Sequence, residues 1–334
     1  MFKNKIKLGI VGCGHVTNNN HLPVILANDE IDLKWVYDKD LTKSKNTANL
    51  FNLNFLNQID DFSVQSIDIL LIAIPLLNRD YYYNLIFKHN KSALIEKPAF
   101  NNYKNFLYIK EKIIRNNNII NYGFQRRFYK NINYLKSLIS NNFFGTIKKV
   151  YIGEGSRVRR SERDGNWYLN DLSQSGGGIL IETGSHTVDL ISYIFEPDDI
   201  KVINYNENLS FNNVEMDVSI SLNIFKKNTY NFPAEIDISY LKDLKNLFII
   251  EFENLKLVMQ NSLVGKIYLQ NDKSYTTSEF NINYDNDIDY IFKYQLKNFM
   301  NFFKKRDFKS TLDHINIVGT TTKIIDECYS FNKK

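Results

Sequence analysis

The sequence predicts an α/β N-terminal domain with a doubly wound parallel sheet, followed by an α+β C-terminal domain with an open, mostly antiparallel sheet. Three observations carry this prediction. The β-branched strand 6–11 runs into a Gly-Cys-Gly turn, the apolar run 67–74 is typical of a parallel strand covered on both faces, and long alternating strands begin near Gly145. The 334 residues suffice for two domains, which we place at 1–123 and 124–334.

Composition excludes several classes of function. Hydrophobic residues make up 43% of the chain and aromatic residues 14%, which supports packed cores rather than disorder. The net charge of +5 is mild and argues for anionic small partners rather than nucleic acid. We expect no signal peptide, because the first residues run straight into a strand, and no membrane span, because no apolar run approaches the ~18–20 residues that one needs. We therefore expect a cytoplasmic protein. Cys13 and Cys328 give neither a disulfide framework nor a metal pattern, so we expect no metal.

The turn that follows the first strand predicts a dinucleotide site. In the segment 12–16 (GCGHV), Gly12 permits a tight turn and Gly14 lets a pyrophosphate approach the N-terminus of the next helix, where free N–H groups favour anions. The third small position is Thr17 rather than Gly or Ala, so the fingerprint is incomplete. An ordinary strand–helix turn is the alternative interpretation.

Asp38 ends the second predicted strand, 33–37, and favours NAD over NADP. A carboxylate at this position accepts hydrogen bonds from the adenosine ribose and repels a 2′-phosphate. Lys39 offsets part of that repulsion, and an ordinary polar strand end is the alternative.

Ligands of a doubly wound sheet lie at the carboxyl ends of its strands. Pro75 ends the strand 67–74, a helix follows at 78–88, and the next strand, 92–95, runs into Glu96-Lys97-Pro98. A lysine there can present its cation to an oxygen that acquires negative charge, whereas the alternative is a surface lysine before a turn proline.

The remaining pattern completes both domains. Helices are predicted at 103–115, 130–140, 178–195, 289–303 and 315–331, and strands at 119–123, 148–157, 201–208, 217–225, 235–240, 248–253 and 266–270. We expect the last two helices to fold back toward the first domain.

The helix at 178–195 is the predicted catalytic element. Glu182, His186 and Asp189 are spaced i, i+4 and i+7, so an α-helix places all three on one face. A carboxylate one turn from an imidazole can hold its tautomer and raise its basicity. The three glycines at 176–178 suit a backbone that something else approaches closely. A solvated polar face is the alternative.

The chain resembles the glucose-fructose oxidoreductase / inositol dehydrogenase / MocA family over nearly its whole length. The resemblance rests on IKLGIVGCGHV, the HLP at 21–23, Asp38, ALIEKP, YGFQRRF, and GGGILIETGSH with Asp189. It implies a Rossmann domain, an open-sheet domain that packs face to face in oligomers, and reversible oxidation of a sugar-type secondary alcohol. By position, Lys97, Glu182 and His186 match the family's catalytic lysine, acid and histidine.

Three residues depart from the family pattern. Glu182 stands where Asp is commoner in the family, and Arg79 stands where many members have His. Thr17 occupies the third small position of the glycine turn, where Gly or Ala is expected. The first departure lengthens the catalytic carboxylate by one methylene, and the second leaves the contacts on the nicotinamide side open.

The predicted chemistry is hydride transfer to NAD with acid–base assistance. Neutral His186 takes the hydroxyl proton, Lys97 stabilises the developing alkoxide and Glu182 holds the imidazole. The predicted cofactor-binding residues are Gly12, Gly14, His15, Val16, Asp38, Pro75, Glu96 and Lys97. The predicted substrate-binding residues are Arg126, Arg157, Arg160, Trp167 and Asp189.

Functions from three classes fit these residues. The first is an NAD-dependent dehydrogenase acting on a sugar, a sugar acid or a nucleotide-sugar. The second retains NAD and oxidises a sugar transiently to permit elimination or hydrolysis of a glycoside. The third is a regulator that binds the cofactor without catalysis, which has no chemical need for Lys97 and His186. We expect the first.

The predicted partners are an anionic sugar-type substrate and further copies of the chain. Arg126, Arg127 and the arginines of 157–163 favour an anion, against the alternative of a solvated charged loop. A homodimer or homotetramer is expected because the sequence has no helices left to cover the second apolar face of the alternating strands. We assign to that face Phe248, Ile250 and Phe252.

Overall fold

The computed structural model describes residues 5–157, 172–209, 213–260, 267–271, 277–280 and 288–331. The chain forms two compact units. The first comprises the described residues within 1–100, 104–125 and 287–316, and the second those within 101–103, 126–286 and 317–334. One unit contains a parallel sheet and the other a mixed, mostly antiparallel sheet, which confirms the predicted fold class.

The first unit is built on five parallel strands in the order β2-β1-β3-β4-β5. Their bounds are β1 Ile6–Val11, β2 Ile31–Tyr37, β3 Ile69–Ile72, β4 Ser92–Glu96 and β5 Ile120–Gly123. Every residue of β3 is buried, as the continuous apolar run predicts. The strand order reverses direction between β1 and β3, and ligands of such sheets bind at that switch point.

Helices alternate with the strands β1–β5. A π-helical turn at Thr17–His21 leads into α1 (Leu22–Leu26), which is followed by α2 (Leu41–Phe51), α3 (Asp61–Gln65), α4 (Asp80–Lys88) and α5 (Tyr103–Asn116). The later helices are α6 (Lys130–Ser140), α7 (Leu172–Ser175) and α8 (Ser185–Phe195), all in the second unit, and then α9 (Ile288–Lys305) and α10 (Phe308–Phe331). The side chain of Asp40 caps α2, and Asp60 forms a capping box at α3. Leu296, Phe299 and Met300 of α9 join the apolar core of the first unit.

The second unit is built on an eight-stranded sheet in the order β13-β12-β11-β10-β6-β9-β8-β7. Its strands are β6 Ile147–Gly155, β7 Asp199–Leu209, β8 Glu215–Lys226, β9 Tyr230–Ser239, β10 Leu247–Phe252, β11 Leu255–Gln260, β12 Ile267–Asn271 and β13 Thr277–Phe280. Among the described strand pairs of this second sheet, only β6–β9 is parallel. Sequence analysis does not predict β11 and β13. Apolar residues of α6 and α8 form one core with one face of the sheet.

The side chains of β10 that pack in the core are those that were predicted to lie on its uncovered face. Phe248 and Ile250 are fully buried and Phe252 nearly so, in the core that the sheet shares with α6 and α8. The assignment of these three residues to an uncovered face is therefore wrong. Alternation along a strand defines two sets of side chains but does not tell which set faces the helices. The other set, Leu247 and Ile249 with Glu251, is only partly buried.

Membrane-spanning helices are absent from the described part of the chain. None of the helices there combines the length and the apolar character that crossing a bilayer requires.

Candidate cofactor-binding and catalytic residues

The two glycines of the turn after β1 meet different surroundings. Gly12 has φ +99°, and a Cβ there would lie 2.2 Å from the carbonyl oxygen of Ala73, so only glycine fits. At Gly14 a Cβ would meet no described atom within 4 Å. The turn therefore leaves room for a group that approaches Gly14, which is the space a pyrophosphate requires.

Thr17 bonds to the glycine turn. Its hydroxyl donates to the carbonyl oxygen of Gly12 at 2.6 Å from within the π-helical turn. The departure from a small residue at this position is thus accounted for by a hydrogen bond that holds the turn. The neighbouring Cys13 is buried, and burial followed by the charge of Asp38 raises the pKa of its thiol to about 11, so the thiol stays protonated near neutrality.

The carboxylate of Asp38 is fixed beside the same turn. Its Oδ2 accepts from the backbone N–H of Cys13 at 2.9 Å, and its Oδ1 accepts from the N–H of Asp40 at 2.9 Å. Each oxygen retains acceptor capacity, since a carboxylate offers about four lone-pair sites. Open space at Gly14 and an anchored carboxylate at the end of β2 fit a dinucleotide with its adenosine ribose at Asp38.

Glu96 is engaged inside the first unit. Its Oε1 lies 2.8 Å from His21 Nε2, its Oε2 accepts from the N–H of Lys97 at 3.1 Å, and the Glu96 side chain is buried. Gly123 makes room for this carboxylate, because a Cβ there would lie 2.8 Å from both oxygens. The described contacts of Glu96 therefore hold the Lys97 segment in place, and its predicted contact with the cofactor stays a prediction.

Arg79 joins the end of the β3 segment to the Lys97 loop. This buried guanidinium donates to the carbonyl oxygens of Ile74 at 2.8 and 3.1 Å, of Pro98 at 2.5 Å and of Lys97 at 3.4 Å. Pro75 is the N-cap of the short 3-10 turn between these partners. Arginine supplies several donors in one plane, which a histidine at this position cannot do.

The helical segment that carries His186 contains a π-helical turn that the sequence pattern did not predict. The turn spans Leu180–Gly184 and is followed by α8, in which His186 is the second residue and only 5% exposed. Glu182 lies on the π turn, and its Oε2 accepts from the Tyr240 hydroxyl at 2.8 Å and the Thr183 hydroxyl at 2.6 Å. The two described donors to the Glu182 carboxylate are thus hydroxyls. π turns are frequent at functional sites.

Arg126 forms a bidentate ion pair in the second unit. Its two terminal nitrogens donate to the two oxygens of Glu154, both at 2.7 Å, and Thr187 of α8 also donates to Glu154 at 2.7 Å. Burial alone would lower the pKa of Arg126, but the charges of Glu154 and Glu182 raise it, so the guanidinium is charged. The opposite charges of Arg126 and Glu182 therefore favour the ionised form of Arg126.

Asp189 and Arg127 form a second bidentate pair. The guanidinium donates to the two carboxylate oxygens at 2.6 and 2.8 Å, and Thr321 donates to the same carboxylate at 3.2 Å. Asp189 is 1% exposed and Arg127 5%. Burial raises the pKa of Asp189, while the charge of Arg127 opposes that shift. These contacts are internal, so they lend no support to the prediction that Asp189 binds substrate.

The basic residues predicted to attract an anionic substrate divide into two groups. Arg126 and Arg127 each form an ion pair with a carboxylate of the protein, Glu154 and Asp189 respectively. Their charges are therefore no evidence for an anionic substrate. Arg157 is exposed at the end of the described segment after β6. Arg160 and Trp167 lie outside the described residues.

Two family models match this chain. The model of the oxidoreductase family's NAD-binding Rossmann fold matches residues 6–124, and the model of that family's C-terminal α/β domain matches residues 136–318. The chain belongs to the glucose-fructose oxidoreductase / inositol dehydrogenase / MocA family. This confirms the resemblance drawn from the glycine turn, the EKP triplet and the His186 segment.

Curated members of this family include two sugar dehydrogenases. The glucose-6-phosphate 3-dehydrogenase of Bacillus subtilis is 27% identical over 197 residues, which cover 58% of this chain and 55% of that protein. The D-glucoside 3-dehydrogenase of Escherichia coli is 19% identical over 206 residues, covering 61% and 58%. The chain thus spans little more than half the length of these relatives.

Solved structures share the fold. KijD10, a 3-ketoreductase from Actinomadura kijaniata crystallised with NADP and TDP-benzene, gives a TM-score of 0.83 at 10% identity over 98% of each chain. The aldose-aldose oxidoreductase from Caulobacter crescentus complexed with glycerol gives 0.79 at 14% identity over 98% of each chain.

Four residues outside the family motifs also contribute contacts around the His186 segment. Glu154, Tyr240, Glu215 and Tyr329 contact the His186 segment or its arginine neighbour, yet each comes from a distant part of the sequence. The apolar pattern of a strand or helix does not indicate which distant residue an acidic or aromatic side chain will contact, so the sequence pattern could not identify these four.

Proposed function

We propose that this family member is an NAD-dependent oxidoreductase that interconverts the secondary alcohol at carbon 3 of a sugar and the corresponding ketone. The observation that carries the proposal is the glycine turn, which has open space at Gly14 and the carboxylate of Asp38 hydrogen-bonded beside it. The choice of carbon 3 is supported by the two curated relatives, both of which are named as 3-dehydrogenases.

The cofactor-binding residues in this proposal lie in the first unit. Gly12 shapes the turn, Gly14 admits the pyrophosphate, and His15 and Val16 open the helix whose N-terminal N–H groups face it. Asp38 accepts from the ribose hydroxyls and repels a 2′-phosphate, which favours NAD over NADP. When bound, the nicotinamide supplies the hydride chemistry.

The acid–base residues follow the family pattern. His186 takes the proton of the sugar hydroxyl during oxidation and returns one to the oxygen during reduction. Lys97 contributes a cation that stabilises the alkoxide as it develops. Glu182, held by the hydroxyls of Tyr240 and Thr183, contributes the negative charge that favours a protonated imidazole.

The substrate in this proposal is an anionic sugar. Support comes from the net charge of +5 and from the Bacillus subtilis relative, which is named for a sugar phosphate. Arg126 and Arg127 do not contribute, since their described partners are Glu154 and Asp189. Arg157 is the exposed arginine on which the proposal draws.

A substrate panel tests the proposal. Purified protein is incubated with NAD and either glucose 6-phosphate, a nucleotide-activated glucose, a methyl glucoside or glucose, and the products are identified by mass spectrometry after borodeuteride reduction, which marks the oxidised carbon. We expect a 3-keto product from an anionic member of the panel and a KM that rises in Arg157→Ala. Oxidation of neutral glucose at equal efficiency, with no effect of Arg157→Ala, would contradict the anionic substrate class.

A further inference from the structure

A buried carboxylate holds the beginning of the segment that carries His186. Oε1 of Glu215, the first residue of β8, accepts from the backbone N–H groups of Gly178 at 2.7 Å and Leu180 at 3.3 Å. The first N–H groups of a helix have no partner within the helix, so an acceptor at this point satisfies them. The helix dipole also favours a carboxylate there.

Tyr329 secures the same oxygen. Its hydroxyl, near the end of α10, donates to Glu215 Oε1 at 2.6 Å, and Glu215 is only 3% exposed. One buried oxygen therefore receives three hydrogen bonds, which join β8, α10 and the start of the His186 segment. Removing any of these donors or the acceptor leaves a buried polar group without its partner, which is costly.

The glycine run is explained by these two residues. A Cβ on Gly177 would lie 2.2 Å from the Tyr329 hydroxyl, and a Cβ on Gly178 would lie 2.3 Å from the backbone oxygen of Glu215. The close approach that the sequence predicted is thus made, at these two positions, by the chain itself. The run provides the space in which the Glu215 carboxylate and the Tyr329 hydroxyl reach the helix start.

We propose that Glu215 and Tyr329 are positioning residues that set the direction of the His186 side chain. The inference rests on the proposed catalytic role of His186. Between the anchored N–H groups and His186 lies the π turn Leu180–Gly184, which holds one residue more per hydrogen-bonded ring than an α-helix. Without the hydrogen bonds that Glu215 accepts from Tyr329, Gly178 and Leu180, the turn is free to revert to α-helical bonding. A shift of one residue rotates the following side chains by about 100°.

Nuclear magnetic resonance of the histidine rings tests this inference without a substrate. The chain has five histidines, so the His186→Ala variant identifies the His186 signal in long-range ¹H–¹⁵N spectra of the wild-type protein. Tyr329→Phe removes one hydroxyl, Glu215→Leu removes the acceptor, and Glu215→Gln keeps an acceptor oxygen in place. The matched control is Tyr193→Phe, which removes a hydroxyl that lies on α8 and donates to Asn133.

We expect Tyr329→Phe and Glu215→Leu to move the His186 ring signals and to change the midpoint of their pH titration by about half a unit or more. Glu215→Gln and Tyr193→Phe should stay close to the wild type. Wild-type His186 signals in a folded Tyr329→Phe protein would overturn the inference, as would equal shifts in Glu215→Gln and Glu215→Leu. If Glu215→Leu does not fold, Tyr329→Phe decides. A His186→Ala enzyme with full turnover would refute the proposed function and leave this readout interpretable.

Discussion

At the scale of single residues, Asp38 connects cofactor choice with the shape of the glycine turn. Its carboxylate accepts from the Cys13 N–H and remains available to a ribose hydroxyl. A hydrogen bond between the Asp38 carboxylate and the ribose of NAD is worth about 1.5–3 kcal/mol of binding free energy. The 2′-phosphate of NADP, in contrast, is repelled by the same carboxylate charge. The two cofactors should therefore respond to a change at Asp38 in opposite directions.

We predict that Asp38→Asn weakens NAD binding by roughly 10-fold or more and narrows the preference for NAD over NADP. Titration calorimetry with both cofactors measures the change. Asp32→Asn is the control, because Asp32 lies on β2, the strand that Asp38 follows, and forms a half-exposed ion pair with Lys34. Equal losses for NAD and NADP in Asp38→Asn would contradict the assignment.

An added methyl group should lower the stability of the fold at Gly12 but lower the affinity for NAD at Gly14. Gly12→Ala meets the Ala73 carbonyl and a left-handed φ, so we expect a loss of about 1–3 kcal/mol in the free energy of unfolding. Gly14→Ala meets open space, so stability should change by less than about 0.5 kcal/mol while NAD affinity falls. Urea denaturation and calorimetry on both variants check this. Unchanged NAD affinity in Gly14→Ala would place the pyrophosphate elsewhere.

At the scale of elements, the contribution of Glu215, which holds the start of the His186 segment, to the free energy of unfolding depends on pH. Burial raises the pKa of Glu215 above its ordinary value of 4.5, and hydrogen bonds from Tyr329 and from backbone N–H groups oppose that shift without cancelling it. The folded protein therefore binds this proton more tightly than the unfolded chain does. Consequently, the contribution of Glu215 to the free energy of unfolding decreases as the pH rises from about 4.5 toward the folded pKa.

We predict that Glu215→Gln, which cannot ionise, lacks this decrease. Urea denaturation at a series of pH values from acid to neutral should show the wild type losing stability relative to the variant as the pH rises. Parallel stability curves for the two proteins would show that Glu215 has the same pKa in the folded and unfolded states.

The strands and helices of this chain are easier to predict from its sequence than the contacts between them. Apolar runs and alternation place most strands and helices, because burial of one face dictates the period of the pattern. The π turn at Leu180–Gly184 escapes prediction, since one extra residue in a hydrogen-bonded ring leaves no mark on the apolar spacing. The partners of Glu182 and Arg126 escape it too, because Tyr240 and Glu154 are brought to them by the fold.

At the scale of the whole molecule, the face of the second sheet that points away from α6 and α8 is the candidate for self-association. Strand register aligns Tyr151, Ile249 and Val258 across β6, β10 and β11, on the face opposite to the helices. All three are partly rather than fully buried. The side chains that point away from α6 and α8 are therefore the neighbours of those first assigned to the association surface, and self-association itself stays a prediction.

We predict a homodimer or homotetramer that Ile249→Lys dissociates, because the change places a charge in an apolar row. Light scattering at micromolar concentration measures the mass of both proteins. Glu253→Lys, an exposed change after the end of β10, should retain the wild-type mass. A monomeric wild type would contradict the prediction.

The proposed function assigns to His186 the proton transfer of an NAD-dependent sugar oxidation. The most direct measurement is the turnover number of the wild type and of His186→Ala with the panel substrate that yields a 3-keto product. General-base catalysis contributes roughly 10²–10⁴-fold, so turnover should fall by that factor while calorimetry shows unchanged NAD affinity. Turnover in His186→Ala close to that of the wild type would contradict the account.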